Sequence, residues 1–376
     1  MRTRLTALLV LGFALCAAFG AAEIALQLLS KHRLLVYDVE MWRYARLIKV
    51  ISDKPGVVEE HRPLGDALLM GARVRTDANG FRLPDPATLA ARLPDDRKVV
   101  VVGDSLTFGW GVPEGMTYSD QLARLLDERC PKQGGRRVTV HNAGIGNCNT
   151  SMEYERYRQC IRPAIKPDWV VLGYVYNDAE PDPVPNTNPL LWNSALISLT
   201  SARLARVTKP LLLDYKGYYQ SLYVDGRPGW ERGKQALRQF GELLRQDGIA
   251  HTLLLLPELH EPLGFGPLAG IYAPVRRIAQ EAGFEVIDGS TGFPPGSGER
   301  YFVTPEDSHP NAAAQTIFAS ALATSRYACG AAPREKGTGD RPARPSPGTS
   351  RGWLRGGPPP LTLQARMRGC EGGGVR

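Results

Sequence analysis

The sequence predicts an α/β fold of three layers, with a mainly parallel five-stranded sheet between helices and an N-terminal transmembrane helix ahead of it. Three observations carry that expectation. Between about residues 97 and 328, five short apolar segments alternate with segments of helical period, the pattern of crossover-connected parallel strands. One of these segments holds four consecutive valines, Val99–Val102, which suits a central strand covered on both faces. Polar residues able to do chemistry recur just past the ends of the segments, where open α/β sheets place their ligands.

In chain order, Met1-Arg2-Thr3-Arg4 precedes an apolar run from Leu5 to Ala22 that only Thr6 interrupts. A positive start followed by a run of this length fits a signal anchor. Cleavage near Ala17–Ala21 is the alternative, and would leave the body secreted. Arg2 and Arg4 put the N-terminus in the cytoplasm and the body on the extracytoplasmic (periplasmic) side, against the weaker vote of Lys31 and Arg33. Residues 31–95 mix an amphipathic piece (Met41–Ile48), extended segments such as Ala72–Thr76, and turn chemistry at Asp77–Arg82. They read as a lead-in that packs beside the main domain. That domain is expected at residues 96–328, with strands Lys98–Val102, Val138–Asn142, Trp169–Tyr174, Thr252–Leu256 and Glu285–Asp288. Helices are expected at Tyr118–Arg129, Met152–Arg162, Glu231–Gln246, Pro274–Ala282 and Asn311–Ser325. The stretch Ala179–Trp230, rich in Pro, Tyr and Leu, is too long for a plain connection and reads as a lid or substrate wall. Residues 329–376 are dominated by Gly, Pro and Arg and read as a disordered tail.

The net charge of +8 is misleading. From Gly330 to Arg376 there are nine Lys or Arg against three Asp or Glu, which leaves about +2 on the rest. A body that balanced, with no stripe of basic and aromatic residues, points away from nucleic acid. The six cysteines contain no CxxC pair and no zinc-type spacing, so no metal site is expected. If the body is extracytoplasmic, pairing among Cys130, Cys148, Cys160 and Cys329 is open, with no connectivity legible. Nothing in the sequence bears on oligomeric state.

Four groups fall at predicted strand ends on one edge of the sheet: Ser105 after the first strand, Asn142-Ala143-Gly144-Ile145-Gly146-Asn147 after the second, Asn177-Asp178 after the third, and Asp307-Ser308-His309-Pro310-Asn311 after the fifth. Acyl transfer asks for such a set. A serine hydroxyl needs a base, and imidazole suits neutral pH. A carboxylate fixes the imidazole's tautomer, and the oxyanion needs preorganised N–H donors. Taken singly, each group also has a plain reading: Ser105 as a helix N-cap, Asn177 as a turn residue, His309 as a helix opener. His260 lies on the same edge and is a rival base. His141 reads as a core residue, and His32, His61 and His251 have no nameable partner.

Together the blocks resemble the SGNH/GDSL hydrolase family, over about Val99 to Ala321. Gly103-Asp104-Ser105-Leu106 matches its first block, Asn177-Asp178 its third and His309-Pro310 its last. The resemblance implies a flavodoxin-like fold with Ser105 as nucleophile, His309 as base, and an oxyanion hole from the Ser105 N–H, the Gly146/Asn147 backbone and Asn177. Asp104 and Asp178 are implied as supporting residues, Asp104 together with Thr107 at the nucleophile turn. The family's second-block Gly is replaced here by Asn147, and a third-block Gly by Val175. For the acid, Glu306 holds the usual spacing, while Asp307 matches members that end in Asp-x-His-Pro-Asn and is favoured.

The expected function is therefore serine hydrolysis of an acyl ester borne by a carbohydrate, lipid or small molecule, with no cofactor and with the membrane held through the N-terminal helix. An O-acyltransferase acting on an extracytoplasmic polysaccharide with the same site is the alternative. A non-enzymatic binding protein that retains the fold is the third reading.

Overall fold

The chain begins with one long helix, α1 (Arg2–Lys31), whose segment Thr3–Ser30 holds an 18-residue stretch of mean hydropathy 2.3 and is long and apolar enough to cross a membrane. The computed structural model describes residues 2–31, 36–130, 137–184, 188–208, 215–260 and 267–330. Met1–Gly330 forms one compact unit. The expected tail from Ala331 onward, with Cys370, lies outside the described residues.

The lead-in folds as helix α2 (Tyr37–Leu47), the antiparallel pair β1 (Lys49–Ile51) and β2 (Glu59–His61), and a tight hairpin of β3 (Asp66–Leu69) and β4 (Ala72–Arg75). At the expected turn, the Asp77 side chain accepts from the N–H groups of Asn79 and Phe81, which closes the loop on its own backbone. Tyr44, Ile48, Leu69, Met70 and Val74 then bury against Phe108 and Trp110 of the main domain. The lead-in is thus built onto the residues that follow Ser105.

After the short helix α3 (Pro86–Ala90), the main domain runs β5 (Arg97–Val102), α4 (Ser105–Phe108), α5 (Tyr118–Arg129), β6 (Val138–Asn142), α6 (Thr150–Arg156), α7 (Arg162–Ala164), β7 (Trp169–Tyr174), α8 (Pro189–Asn193), α9 (Ala195–Thr208), α10 (Tyr215–Leu222), α11 (Pro228–Gln246), β8 (Ala250–Leu255), α12 (Tyr272–Glu281), β9 (Glu285–Asp288), the hairpin β10 (Phe302–Thr304) and β11 (Asp307–Pro310), and α13 (Ala312–Leu322). The five-stranded sheet is β6-β5-β7-β8-β9 and parallel throughout, rather than mainly so. That order, with the first strand second in place, is the flavodoxin-like arrangement.

Side chains alternate across a strand, and the four valines divide accordingly. Val99 and Val101 pack with α5 and α13 through Tyr118, Leu122 and Phe318. Val100 and Val102 face the other way, toward Trp230, Leu237 and Phe240 of α11 and Val275 and Ile278 of α12. Both layers are dry, which is why a continuous apolar run suits this strand.

Two expectations need correction, and a third gains detail. The helix expected at Met152–Arg162 starts at Thr150 and loosens into a π-helical stretch at Tyr157–Ile161 before α7. The Asp307–Asn311 block does not follow the fifth strand directly, since β10 intervenes and the block itself forms β11 of the hairpin. The segment Ala179–Trp230 carries helices α8, α9 and α10. Of the cysteines, Cys130 and Cys329 form a disulfide, so one of the residues assigned to the tail belongs to the folded unit.

Candidate active site

Strand β5 ends at Val102 and α4 begins three residues later, at Ser105. Asp104 is the N-cap: its Oδ1 accepts from the Leu106 N–H at 2.8 Å. Ser105 is therefore not the cap but the first helical residue, with its side chain left for other partners. A Cβ at Gly103 would overlap the Thr107 hydroxyl, and one at Gly144 would overlap the backbone of Phe108. These two glycines let the strand end, the Ser105 turn and the neighbouring β6 turn close on one another. Asn142 binds them together, donating from Nδ2 to the Thr107 carbonyl (2.9 Å) and accepting the Gly144 N–H (3.0 Å).

Ser105 Oγ lies 2.9 Å from His309 Nε2, and His309 Nδ1 lies 2.5 Å from Asp307 Oδ1. Asp307 also accepts the His309 backbone N–H (3.1 Å) and the Trp110 indole N–H (2.9 Å). Burial opposes its charge, but the His309 bonds and the Trp110 N–H outweigh burial and hold its carboxyl below the ordinary value. Asp307, not Glu306, meets His309; Glu306 is exposed to solvent. The rival His260 is elsewhere, with Nδ1 at 2.6 Å from Glu258 Oε1 and its ring against Phe302 and Tyr215.

The β6 turn divides the two donors that the sequence offered. The Gly146 N–H donates to the Tyr44 hydroxyl at 3.0 Å, so it is already spent. That corrects the inclusion of Gly146 in the oxyanion set. Tyr44 lies 2.6 Å from His61 Nε2, and His61 Nδ1 lies 3.1 Å from the Gly80 carbonyl. Burial drives the Tyr44 pKa up and the His61 pKa well down, so both stay neutral, with Tyr44 donating to His61. Asn147 has φ +63°, a left-handed conformation that Asn tolerates better than most residues and that suits its place at the family's usual glycine. Among the described residues, the N–H groups of Ser105 and Asn147 have no protein acceptor. Asn177 Nδ2 lies 3.4 Å from Asp104 Oδ2. An amide nitrogen carries two hydrogens, so one remains for a ligand.

Lys49 adds a feature that no spacing rule would find. Its Nζ donates to the Gly146 carbonyl at 2.6 Å and to Glu59 Oε2 at 2.6 Å. The Gly146 carbonyl and the Asn147 N–H belong to one planar trans peptide and point in opposite directions. An ammonium holding the oxygen therefore orients and polarises the N–H. Trp110, Tyr37 (its ring stacked on His309, centroids 6.2 Å apart), Tyr44 and Lys49 are the site neighbours that the sequence reading missed. For Tyr37, Tyr44 and Lys49 the only signal was a lead-in dense in aromatic and polar residues, and Trp110, five residues past Ser105, had none.

Beneath the turn sit three buried carboxyls, Asp104, Glu153 and Asp178. Burial raises all three pKa values, and their mutual charge adds to the effect for Glu153 and Asp178. Asp178 Oδ2 accepts the Val175 N–H at 2.8 Å and shapes the turn that presents Asn177. Among the described residues, no group of three or more His, Cys, Asp or Glu is arranged to hold a metal ion. An arrangement of hydroxyl, imidazole and buried carboxylate beside unspent N–H donors can deprotonate the hydroxyl and receive the negative charge of a tetrahedral intermediate.

Residues 101–317 match the family model of the GDSL-like lipase/acylhydrolases, more than half of the chain. No curated protein sequence matches it. Solved structures similar to it include an acetylxylan esterase from Geobacillus stearothermophilus (17% identity, 60% of this chain and 92% of that one, TM-score 0.38). A lipase from a goat rumen metagenome is also similar (14%, 61% and 96%, 0.41), as is an α/β hydrolase enzyme from the metagenome of Lake Arreo, Spain (20%, 62% and 96%, 0.38). On the strength of the family match, the chain belongs to the GDSL-like lipase/acylhydrolase family and is an ester hydrolase.

Proposed function

We propose that the chain cleaves carboxylic esters through a covalent acyl-serine formed on Ser105. His309 Nε2 takes the Ser105 proton as Oγ bonds to the ester carbonyl carbon, then returns it to the alkoxide leaving group. Water deprotonated by the same imidazole attacks the acyl-enzyme, Ser105 regains its proton, and the carboxylic acid leaves. Asp307 keeps Nδ1 protonated and stabilises the imidazolium. The oxyanion is received by the N–H groups of Ser105 and Asn147 and by Asn177 Nδ2, each such donor contributing about 3 kcal/mol to lowering the barrier. Asp104 and Asp178 shape the turns that carry Ser105 and Asn177.

The observation that carries this reading is the unbroken chain Ser105 Oγ–His309 Nε2–Asp307, at 2.9 and 2.5 Å. Replacing Ser105 with Ala is expected to abolish ester turnover and fluorophosphonate labelling while thermal unfolding stays unchanged. Unchanged turnover in that variant refutes the assignment. Transfer of the acyl group to a polysaccharide hydroxyl would use the same acyl-enzyme; adding acceptor glycans to a donor ester separates it from hydrolysis, the reading adopted here. The helix α1 is read as an uncleaved anchor that leaves the catalytic domain extracytoplasmic. Arg2 and Arg4 before the apolar run support this, as does the Cys130–Cys329 disulfide, which suits an oxidising compartment.

A further inference from the structure

The anchor helix does not hang free of the catalytic unit. Residues 3–19 of α1 are exposed on every side, and from Gly20 onward one face, Gly20, Glu23, Leu26, Gln27 and Ser30, becomes covered. The bare stretch is about 26 Å long at 1.5 Å per residue, close to the roughly 30 Å hydrocarbon thickness of a bilayer. The domain therefore meets α1 where α1 leaves the apolar layer.

The contact at that level is specific. Glu23 caps helix α9 from outside: its carboxylate accepts the Ser194 hydroxyl (2.8 Å) and the N–H groups of Ala195 and Leu196 (2.9 Å each). A carboxylate at a helix N-terminus satisfies donors that otherwise have no partner and complements the helix dipole. Helix α2 locks the same assembly from the other side. Arg43 reaches the Ser30 carbonyl at 3.5 Å, Trp42 Nε1 donates to the Leu191 carbonyl (3.0 Å), Arg46 donates to the Trp192 carbonyl (2.9 Å), and Asp38 pairs with Arg203. Tyr37, at the start of α2, lies on the His309 ring. With α2 about 16 Å long, His309 is within roughly 30 Å of the end of the anchor. Around this junction Ile24, Leu28, Leu29, Leu190 and Leu204 are 50 to 66% exposed, and Ala195–Leu204 is apolar on average, with Ser198, Thr200, Ser201 and Arg203 among its leucines and alanines.

We infer that the α8–α9 segment rests on the membrane surface, keyed to the anchor by Glu23, and that the site takes an acyl ester carried by an amphiphile in that surface. This rests on the anchored-esterase reading above and narrows its substrate. Exposed leucines beside an anchored helix bury their apolar area in the headgroup boundary, and α8 and α9 are the next helices in the chain after β7, the strand whose end carries Asn177-Asp178. The occupant of this surface is lipid, because the surface is continuous with the bare face of the spanning helix.

The test uses the full chain in phospholipid vesicles and one acyl group on two carriers, a water-soluble nitrophenyl ester and a diacylglycerol-type amphiphile embedded in the vesicle. The Leu190→Asp/Leu204→Asp double variant is expected to lose at least tenfold on the embedded ester and to stay within twofold on the soluble one. Loss on neither ester, or equal loss on both, overturns the inference. Independently of activity, a fluorophore on Leu204→Cys in a Cys16→Ser/Cys160→Ser/Cys370→Ser background is expected to be quenched by doxyl-labelled lipid, and the same label on Arg124→Cys of α5 is not; equal quenching overturns it as well. A wild-type chain that hydrolyses the soluble ester and not the embedded one refutes the substrate. A chain that hydrolyses neither and resists fluorophosphonate refutes the esterase reading instead, and one that fails to float with vesicles refutes the anchor.

Discussion

Lys49 contributes a charge to a peptide rather than to a substrate. If Asn147 is the turn donor to the oxyanion, Lys49 sets the angle and acidity of that N–H through the Gly146 carbonyl. Losing an oxyanion donor outright costs about 10²- to 10³-fold in kcat; losing its orientation costs less. Lys49→Met, made with Glu59→Gln so that no partner carboxylate is stranded, is expected to lower kcat about tenfold with KM within twofold. A change in KM alone contradicts that role. Glu153 makes a different case. Both of its oxygens are buried without a hydrogen-bond partner among the described residues, and burial, followed by the Asp104 charge, raises its pKa well above the ordinary value. A raised folded pKa means that the native state holds a proton the unfolded chain has already released. The stability that protonated Glu153 contributes is therefore full below about 4.5, falls as pH rises toward the folded value, and is gone above it. Glu153→Gln imitates the protonated form. Its melting temperature is expected to equal the wild type near pH 4.5 and to exceed it by a few degrees at pH 8; a constant difference across that range contradicts the linkage.

At the scale of elements, the strand-to-helix turn depends on close approach more than on its serine. The Thr107 hydroxyl occupies the space that a Gly103 side chain would need and is itself bonded by Tyr118 (3.0 Å). Gly103→Ala is expected to lower both melting temperature and turnover. Adding Thr107→Ala, which vacates the space, is expected to restore part of both, because neighbours in contact are not additive. Thermal melts and ester kinetics of the three variants check this; a double variant worse than the sum contradicts it. This turn was legible because strand, glycine, N-cap and helix lie within ten consecutive residues. The same holds for the sheet: three of its five strands run over the predicted residues, since an apolar segment between two helical periods is a local signal. The β10–β11 hairpin was not legible. Phe302–Thr304 is short and half-buried, and what makes it a strand is pairing with the His309 block itself.

At the scale of the whole molecule, the Cys130–Cys329 disulfide spans 199 residues and joins the end of α5 to the end of the folded unit. In the chain-entropy account, closing a loop of that length restricts the unfolded state by about 5 kcal/mol. Reduction, or Cys130→Ser/Cys329→Ser, is expected to lower the melting temperature by roughly 10 °C or more while leaving the resting site geometry unchanged; an unaltered melt contradicts it. Long-range pairings of this kind mark the boundary of what the sequence makes readable. His309 and Ser105 were readable 204 positions apart only because each block carries its own local motif. The bonds from Tyr44 and Lys49 to Gly146, and from Trp110 to Asp307, have no local signature: any buried tyrosine, lysine or tryptophan looks the same until the fold brings its partner. The dependence of the β6 turn on the lead-in has a practical meaning for truncation. A fragment trimmed to begin at β5 would keep its sheet, its serine and its histidine, yet lose the Tyr44 and Lys49 side chains that fix both ends of the Gly146 residue. A truncation that keeps the whole site is therefore expected to start no later than Tyr37, where α2 begins, and one that also keeps the disulfide to end no earlier than Cys329.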